Sequence, residues 1–341
     1  MKEPLRSLTQ EMIPAVEQAM EDVLLANDRA GDSFYGMMHY HMGWVDESFQ
    51  PLLANAGKRV RPLLALLSAR SAGGDWEKTV PGAASLELLH NFSLIHDDIQ
   101  DASPTRRGRP TIWNLWGVNL AINSGDAMFA LAHESMIRMV DRGVPAKIVV
   151  HALRRLDETC IDLTIGQHAD MLFEERDDVT VEQYLEMIGG KTAALLSFST
   201  ELGALVAGRN KDIVDHYASF GKDLGMAFQV RDDILGIWGD ETVIGKSSAT
   251  DIVTRKKSLP ILYGLSKSDE LIDLYSQSEN GENFVQQVVQ LLDGVRAHEF
   301  AQAYEEKYAN SALTHLEAAN PEGAAAVALR QLTMILLNRQ A

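Results

Sequence analysis

Apolar residues recur three and four apart along almost the whole chain, and that spacing constrains the fold more than any other feature. Met12, Val16, Met20 and Val23 share one helical face, as do Leu63, Leu64 and Leu67, and farther on Leu195, Leu202, Leu205 and Val206. Alternating β-branched runs closed by Asn-Gly or Asp-Gly, the mark of hairpins, are missing. Pro51, Pro62, Pro81, Pro145 and Pro260 stand where helices would begin or end. The breaks "SAGGD", "DRGVP", "GRNKD" and "QSENGEN" have the length of connections in a helical bundle. The expectation is an all-α protein, a single helical domain over residues 1–341 without linker or repeat, its most peripheral part being the "QSENGEN" region and the last helices. At 46% hydrophobic, the 341 residues suffice for one large core or two smaller ones.

Composition narrows the functional classes. A formal charge of −17 argues against nucleic acid as the main partner, because duplex binding rests on lysine and arginine neutralising phosphates. The start, "MKEPLRSLTQ", has no apolar leader core, and no run of eighteen uncharged apolar residues follows, so the expectation is a cytoplasmic chain with no transmembrane segment. One cysteine, Cys160, cannot form an internal disulfide; it reads as core packing, and a nucleophile role lacks a partner motif.

Two acidic segments carry chemistry. In "HDDIQD", Asp97 and Asp101 are four residues apart and stack on one helical face with Asp98 beside them. Like charges at that spacing destabilise a helix unless a cation lies between them. Magnesium answers the need, since it takes a few carboxylate oxygens and fills its octahedron with water and substrate phosphate. A solvated acidic face is the bland alternative for one such segment. The second, "FQVRDDILGIWGD", puts Asp232 and Asp233 on an otherwise apolar helix, and two such clusters suggest two walls of one metal site.

Basic segments complement them. Arg106 and Arg107 follow the first cluster after the turn-prone "ASPT", and the planar guanidinium fork suits phosphate oxygens. Upstream, "GKRVRP" carries Lys58, Arg59 and Arg61 before an apolar helix; alone it would read as a solvated helix end. Lys191 in "GGKTAALL", Lys246 in "GKS", and Lys256 and Lys257 in "TRKKSLP" stand beside glycine or a helix start. Together with two magnesium-type clusters they describe a cavity for diphosphates.

The chain resembles the trans-prenyl diphosphate synthases from about Tyr40 to the terminal "LLNRQ". The match runs through "DDIQDASPTRRG", "FQVRDD", "GKRVRP", "LELLH", "GQHAD", "GGKTAAL" and "GKSSATDIVTRKKSLP", in that family's order and spacing. The resemblance implies a helical bundle of the isoprenoid-synthase type with a central active-site cavity, working as a homodimer. It implies that Asp97, Asp98, Asp101, Asp232 and Asp233 hold magnesium, three ions, against the diphosphate of an allylic substrate. Arg106, Lys191, Lys246 and Lys256 would grip the same diphosphate, and Lys58, Arg61, His90 and Arg107 that of isopentenyl diphosphate. Arg59 shares that segment as a further candidate contact. Gln167, Asp170 and Gln229 fall on supporting positions, and Thr192 would help dock the reacting carbon chain. His96 reads as packing or support beside Asp97, and His39 and His41 as packing for want of companion ligands.

One position departs from the family pattern: Gly236 stands where the second motif often ends in a third aspartate. Product length is expected to depend on Phe92 and Ser93, five and four residues before Asp97 and about one turn deeper on the first acidic helix. The wording "HNFSLIHDD" resembles geranylgeranyl diphosphate synthases, hence a twenty-carbon product; a fifteen-carbon farnesyl product stays open because farnesyl-type enzymes also carry an aromatic there. The competing readings are a terpene cyclase on the same fold, which has no need of Lys58, Arg61, His90 and Arg107, and a non-catalytic subunit, which would have lost its aspartates or arginines.

Overall fold

The computed structural model describes residues 3–27, 33–52, 54, 57–239, 250–277 and 283–337. Helices α1 Leu5–Asn27, α2 Ser33–Met42, α3 Val60–Ser71, α4 Val80–Gln100, α5 Ile112–Trp116, α6 Val118–Ile137, α7 Ala146–Glu175 and α8 Val181–Ile188 lead to a π-helical turn, Gly189–Ala193. Then come α9 Ala194–Val206, α10 Lys211–Trp238, α11 Thr250–Val253, α12 Leu259–Leu265, α13 Asp269–Tyr275, α14 Phe284–Gly294, α15 Ala297–Ala318 and α16 Gly323–Leu337. The all-α expectation holds. Met12, Val16, Met20, Val23, Leu63, Leu64, Leu67, Leu195 and Leu202 are all buried, as their helical spacing requires. Pro81 and Pro260 lie in the first turns of α4 and α12, where a missing N–H costs nothing. Among the described residues no helix is long and apolar enough to cross a membrane.

One element was not expected. Thr105–Arg106 and Arg109–Pro110 pair as an antiparallel ribbon, with Arg106 opposite Arg109. Its two-residue loop has Arg107 at φ 54° and Gly108 at φ 77°, the double positive φ of a type I′ turn. Glycine meets that demand freely; arginine at the first position is unusual, which hides the hairpin from a pattern search.

Contacts sort the chain into two compact units. The first comprises Met1–Asp157, Ser199–Val214 and Pro321–Leu329. Its spine is α4, whose first ten residues, Val80 to Leu89, are all buried, with Gly82, Ala83, Ala84 and Ser85 small enough to admit neighbouring helices closely. The second comprises Glu158–Phe198, Asp215–Asn320 and Arg330–Ala341. Tyr184 and Ile188 of α8, Met226, Val230 and Ile234 of α10, and Leu259 and Leu262 of α12 form one core there. Ile237, Ile252, Ile261, Phe284, Val288 and Leu292 form another.

Inside the first unit, a charge holds the "GKRVRP" segment. Arg59 precedes α3 at φ 48° and is 4% exposed. Its Nε donates to Glu17 of α1 at 2.6 Å, and its Nη1 to Glu87 of α4 at 2.8 Å. Asn91 completes the Glu87 carboxylate with a 3.2 Å bond. The residue that the motif left doubtful is thus a tie between three helices. Arg59→Met would strand the buried Glu87 carboxylate, and should lower unfolding stability by on the order of 3 kcal/mol in urea denaturation.

Candidate active site

In the first unit the site grows from the last turn of α4. Adjacent helical residues point about 100° apart, so the aspartate pair divides. Asp97 is half-buried, while Asp98 is 2% exposed and accepts a 2.7 Å bond from Arg106 Nε. Asp101 ends the helix, exposed, its N–H bonded to the Asp97 carbonyl at 2.8 Å. Burial pushes the Asp98 carboxyl upward, and the Arg106 charge opposes that. One acid and one base that stand eight residues apart therefore do pair.

The hairpin that delivers Arg106 and Arg107 is clamped to α2. Arg109 donates to the carbonyls of Tyr40 at 3.0 Å and Val45 at 2.7 Å, and its guanidinium lies 3.9 Å from the centre of the Tyr40 ring. Tyr40 Oη returns a 2.9 Å bond to the Pro110 carbonyl. Between these elements lies a cleft lined by Tyr40, His41, Asp98, Arg106, Arg107 and Thr111. Cations crowd this region. Burial, then Arg61, Arg107, Arg106 and His41, push the His90 imidazole well below its usual range. Burial, then Arg107 and Arg106, push His41 down to about 3. Arg61 Nε is buried with no hydrogen-bond partner among the described residues. Lys58 lies exposed on the same segment. Neutral imidazoles, clustered guanidinium groups and an orphaned donor are what an anion would complete. Deeper on α4, half-buried Phe92 meets Phe129 of α6 at 5.3 Å between ring centres, and His96 at 5.0 Å. Ser93 is buried, its hydroxyl bonded to the His90 carbonyl at 2.8 Å.

In the second unit, the π-helical turn presents Lys191, whose Nζ lies 2.5 Å from Asp170 of α7. A methyl group on Gly166 would come within 2.3 Å of the Lys191 backbone nitrogen, so "GQHAD" and "GGKT" are packed as one piece. Gln167, in the same stretch, is buried. Thr192 Oγ1 donates to Gln229 Oε1 at 3.0 Å, and Gln229 Nε2 to Asp233 Oδ1 at 3.2 Å. Asp232 is half-buried, whereas Asp233 is fully buried and accepts a 2.5 Å bond from Tyr184 Oη. Burial lifts the Asp233 carboxyl to about 6 against the pull of Lys256. Burial would depress the Lys256 ammonium, yet Asp233, Asp251, Asp170 and Asp232 together raise it. Lys257 turns elsewhere, to the Arg176 carbonyl and to Asp177 at 3.3 Å. Lys246 lies outside the described residues.

A family model, polyprenyl synthetase, matches residues 42–292. The chain belongs to the polyprenyl synthetase family. It is 42% identical over 260 residues to a (2E,6E)-farnesyl diphosphate synthase of Mycobacterium tuberculosis, covering 76% of this chain and 69% of that protein. To a geranylgeranyl diphosphate synthase of Saccharolobus solfataricus it is 38% identical over 276 residues, 80% of this chain and 83% of the relative. Its fold superposes on a polyprenyl synthetase from Streptomyces coelicolor with a TM-score of 0.86 at 33% identity, over 97% of this chain and 98% of that one. It is a transferase of the trans-prenyl diphosphate synthase class, a prenyltransferase that elongates isoprenoid chains.

The donor set of this synthase fits magnesium by its chemistry. Among the described residues no three His, Cys, Asp or Glu side chains form a cage for a metal ion. Carboxylates offered singly suit an ion that keeps most of its shell for water and substrate phosphate. Spacing alone did not reveal His41, which faces the cleft instead of merely packing, or Arg109, the strut of the hairpin. The third arginine of "RRGR" was the available signal for the latter. Nor did it reveal what fills the place at Gly236: a Cβ there would meet the Asp251 carboxylate, at 2.5 Å from Oδ2.

His41 gives a pH test. Its folded pKa of about 3 lies below the unfolded value near 6.5, so between those values the unfolded chain binds the extra proton. Its contribution is complete above about 6.5 and lost as pH falls toward 3. In urea titrations at pH 7 and pH 5, the midpoint of His41→Gln should fall less on acidification than that of the parent chain.

Proposed function

We propose that this chain joins isopentenyl diphosphate to an allylic prenyl diphosphate, head to tail, with a twenty-carbon geranylgeranyl diphosphate as its product. The observation that carries the reading is the cation set of the first unit: Arg61, His90 and Arg107 sense one another's charge, with an orphaned guanidinium donor among them. That set, with Lys58, is assigned to the isopentenyl diphosphate. A cyclase has no use for it.

Arg106, Lys191 and Lys256, with Lys246, are assigned to the allylic diphosphate, with Thr192 and Gln229 beside them. Asp97, Asp98, Asp101, Asp232 and Asp233 are the carboxylates from which magnesium, three ions in this reading, would draw its ligands. When bound, magnesium would neutralise the charge that builds on the leaving diphosphate. The lysines and Arg106 stabilise the same charge without reorganising at the moment of reaction. As the allylic C–O bond breaks, the double bond of isopentenyl diphosphate attacks the cationic carbon and a C–C bond forms. A proton then leaves to the departed diphosphate, so no side-chain base is required, and His90 stays neutral as a hydrogen-bonding group.

Phe92 supports a short product, because its ring and that of Phe129 stand together beneath the turn that bears Asp97. Exposed Val118, Leu120, Ile122 and Val150 in the first unit support a second copy of the chain as partner, hence a homodimer. A cytoplasmic location accompanies the reading.

Purified protein incubated with magnesium, isopentenyl diphosphate and allylic primers of five, ten or fifteen carbons should yield a linear twenty-carbon diphosphate by mass spectrometry. A fifteen-carbon end product would place the stop higher, and a cyclic hydrocarbon made from an allylic diphosphate alone would overturn elongation. Asp97→Asn should lower kcat by roughly a hundredfold. Phe92→Ala should lengthen the product distribution by at least one five-carbon unit.

A further inference from the structure

Three consecutive cations, Arg255, Lys256 and Lys257, lie between α11 and α12, and their side chains take separate directions. Lys257 bonds the Arg176 carbonyl and Asp177, just after α7. Lys256 lies within reach of the charges of Asp233, Asp251, Asp170 and Asp232. Arg255 leads away to the peripheral helices. Its Nη1 donates to the Tyr275 carbonyl at 2.6 Å, and its guanidinium lies 5.1 Å from the centre of the Phe284 ring.

The backbone at this point is a helix stop. The Arg255 N–H bonds to the Ile252 carbonyl at 3.0 Å and the Lys256 N–H to the Asp251 carbonyl at 2.8 Å. That pair of bonds is the Schellman closure of a helix, whose pivot is a left-handed residue, most often glycine. Here the pivot is Arg255, at φ 55°. A side chain disfavours that conformation, so glycine would hold the same turn with less strain. What glycine would not provide is the pair of anchors. Tyr275 is the last residue of α13, where carbonyls have no helical donor. Phe284 opens α14, is 3% exposed and packs with Ile237, Ile252, Val288 and Leu292, so its ring is a fixed platform.

We infer that Arg255 is a positioning residue for the allylic diphosphate: it fastens the left-handed turn after α11 to α13 and α14, and so sets where the Lys256 ammonium stands. This rests on the elongation reading, in which Lys256 grips that diphosphate. A strained pivot beside a substrate-binding residue is kept in place by contacts elsewhere, and here those contacts are identified. The turn is closed by the N–H of Lys256 itself, so a shift of the pivot is passed directly to the residue that carries the ammonium. The peripheral helices α13 and α14, which take no part in the motifs, thereby become part of the allylic site.

The test uses the full chain, a thiolodiphosphate analogue of the fifteen-carbon allylic substrate, and calorimetry with magnesium. Arg255→Gly should weaken analogue binding and raise the allylic KM by about fivefold or more, with the KM for isopentenyl diphosphate unchanged. Its urea midpoint should hold or rise, because glycine relieves the backbone. Arg255→Lys, which keeps the charge and loses the planar fork, should weaken binding as well. Phe284→Leu keeps the core apolar and removes the ring, so it should act in the same direction even if Arg255→Gly folds poorly. Added to Lys256→Met, Arg255→Gly should cost no further affinity. Parental analogue affinity in Arg255→Gly, or a full additive loss on the Lys256→Met background, would overturn this inference alone. A parent chain that bound no analogue with magnesium would overturn the elongation reading and this inference with it.

Discussion

A helix turns by about 100° per residue, so neighbouring side chains cannot serve the same partner equally. The aspartate pairs of the two acidic motifs obey that constraint. Asp98 and Asp233 turn inward, where a bare carboxylate would be costly, and each is met by donors: Arg106 in one case, Tyr184, Gln229 and the Leu259 N–H in the other. Asp97 and Asp232 keep partial exposure. The inward member ties the motif to its scaffold through those donors. Arg59 repeats the principle with opposite sign, a buried cation occupied by Glu17 and Glu87.

What the sequence made legible follows the range of the forces involved. Helices announce themselves through apolar spacing, and Met12, Val16, Leu63 and Leu202 were placed in the core by periodicity alone. The acidic and basic motifs were legible as local clusters. Partners distant in the chain were not: Arg109 to Tyr40 spans 69 residues, Tyr184 to Asp233 spans 49 and Arg59 to Glu17 spans 42. No local pattern encodes such pairs. The hairpin escaped for another reason, because Arg107 occupies a positive-φ position usually held by asparagine or aspartate.

Charge placement in the first unit also bears on how the site meets a substrate. Arg61, Arg106 and Arg107 lie near His41 and His90, and burial holds both imidazoles neutral instead of adding to the positive charge. Repulsion is thereby limited while hydrogen-bonding capacity is retained. Guanidinium groups thus gather at one place in a chain of net charge −17, so an incoming diphosphate would meet local positive charge in an otherwise acidic molecule.

Gly236 has a consequence for how this sequence can drift. Its absent side chain leaves a volume that the Asp251 carboxylate now occupies. An aspartate at 236 and the carboxylate at 251 would contend for one space and repel each other as well. An acid at 236 therefore requires the Asp251 side chain to turn to another rotamer, or a cation to stand between the two carboxylates.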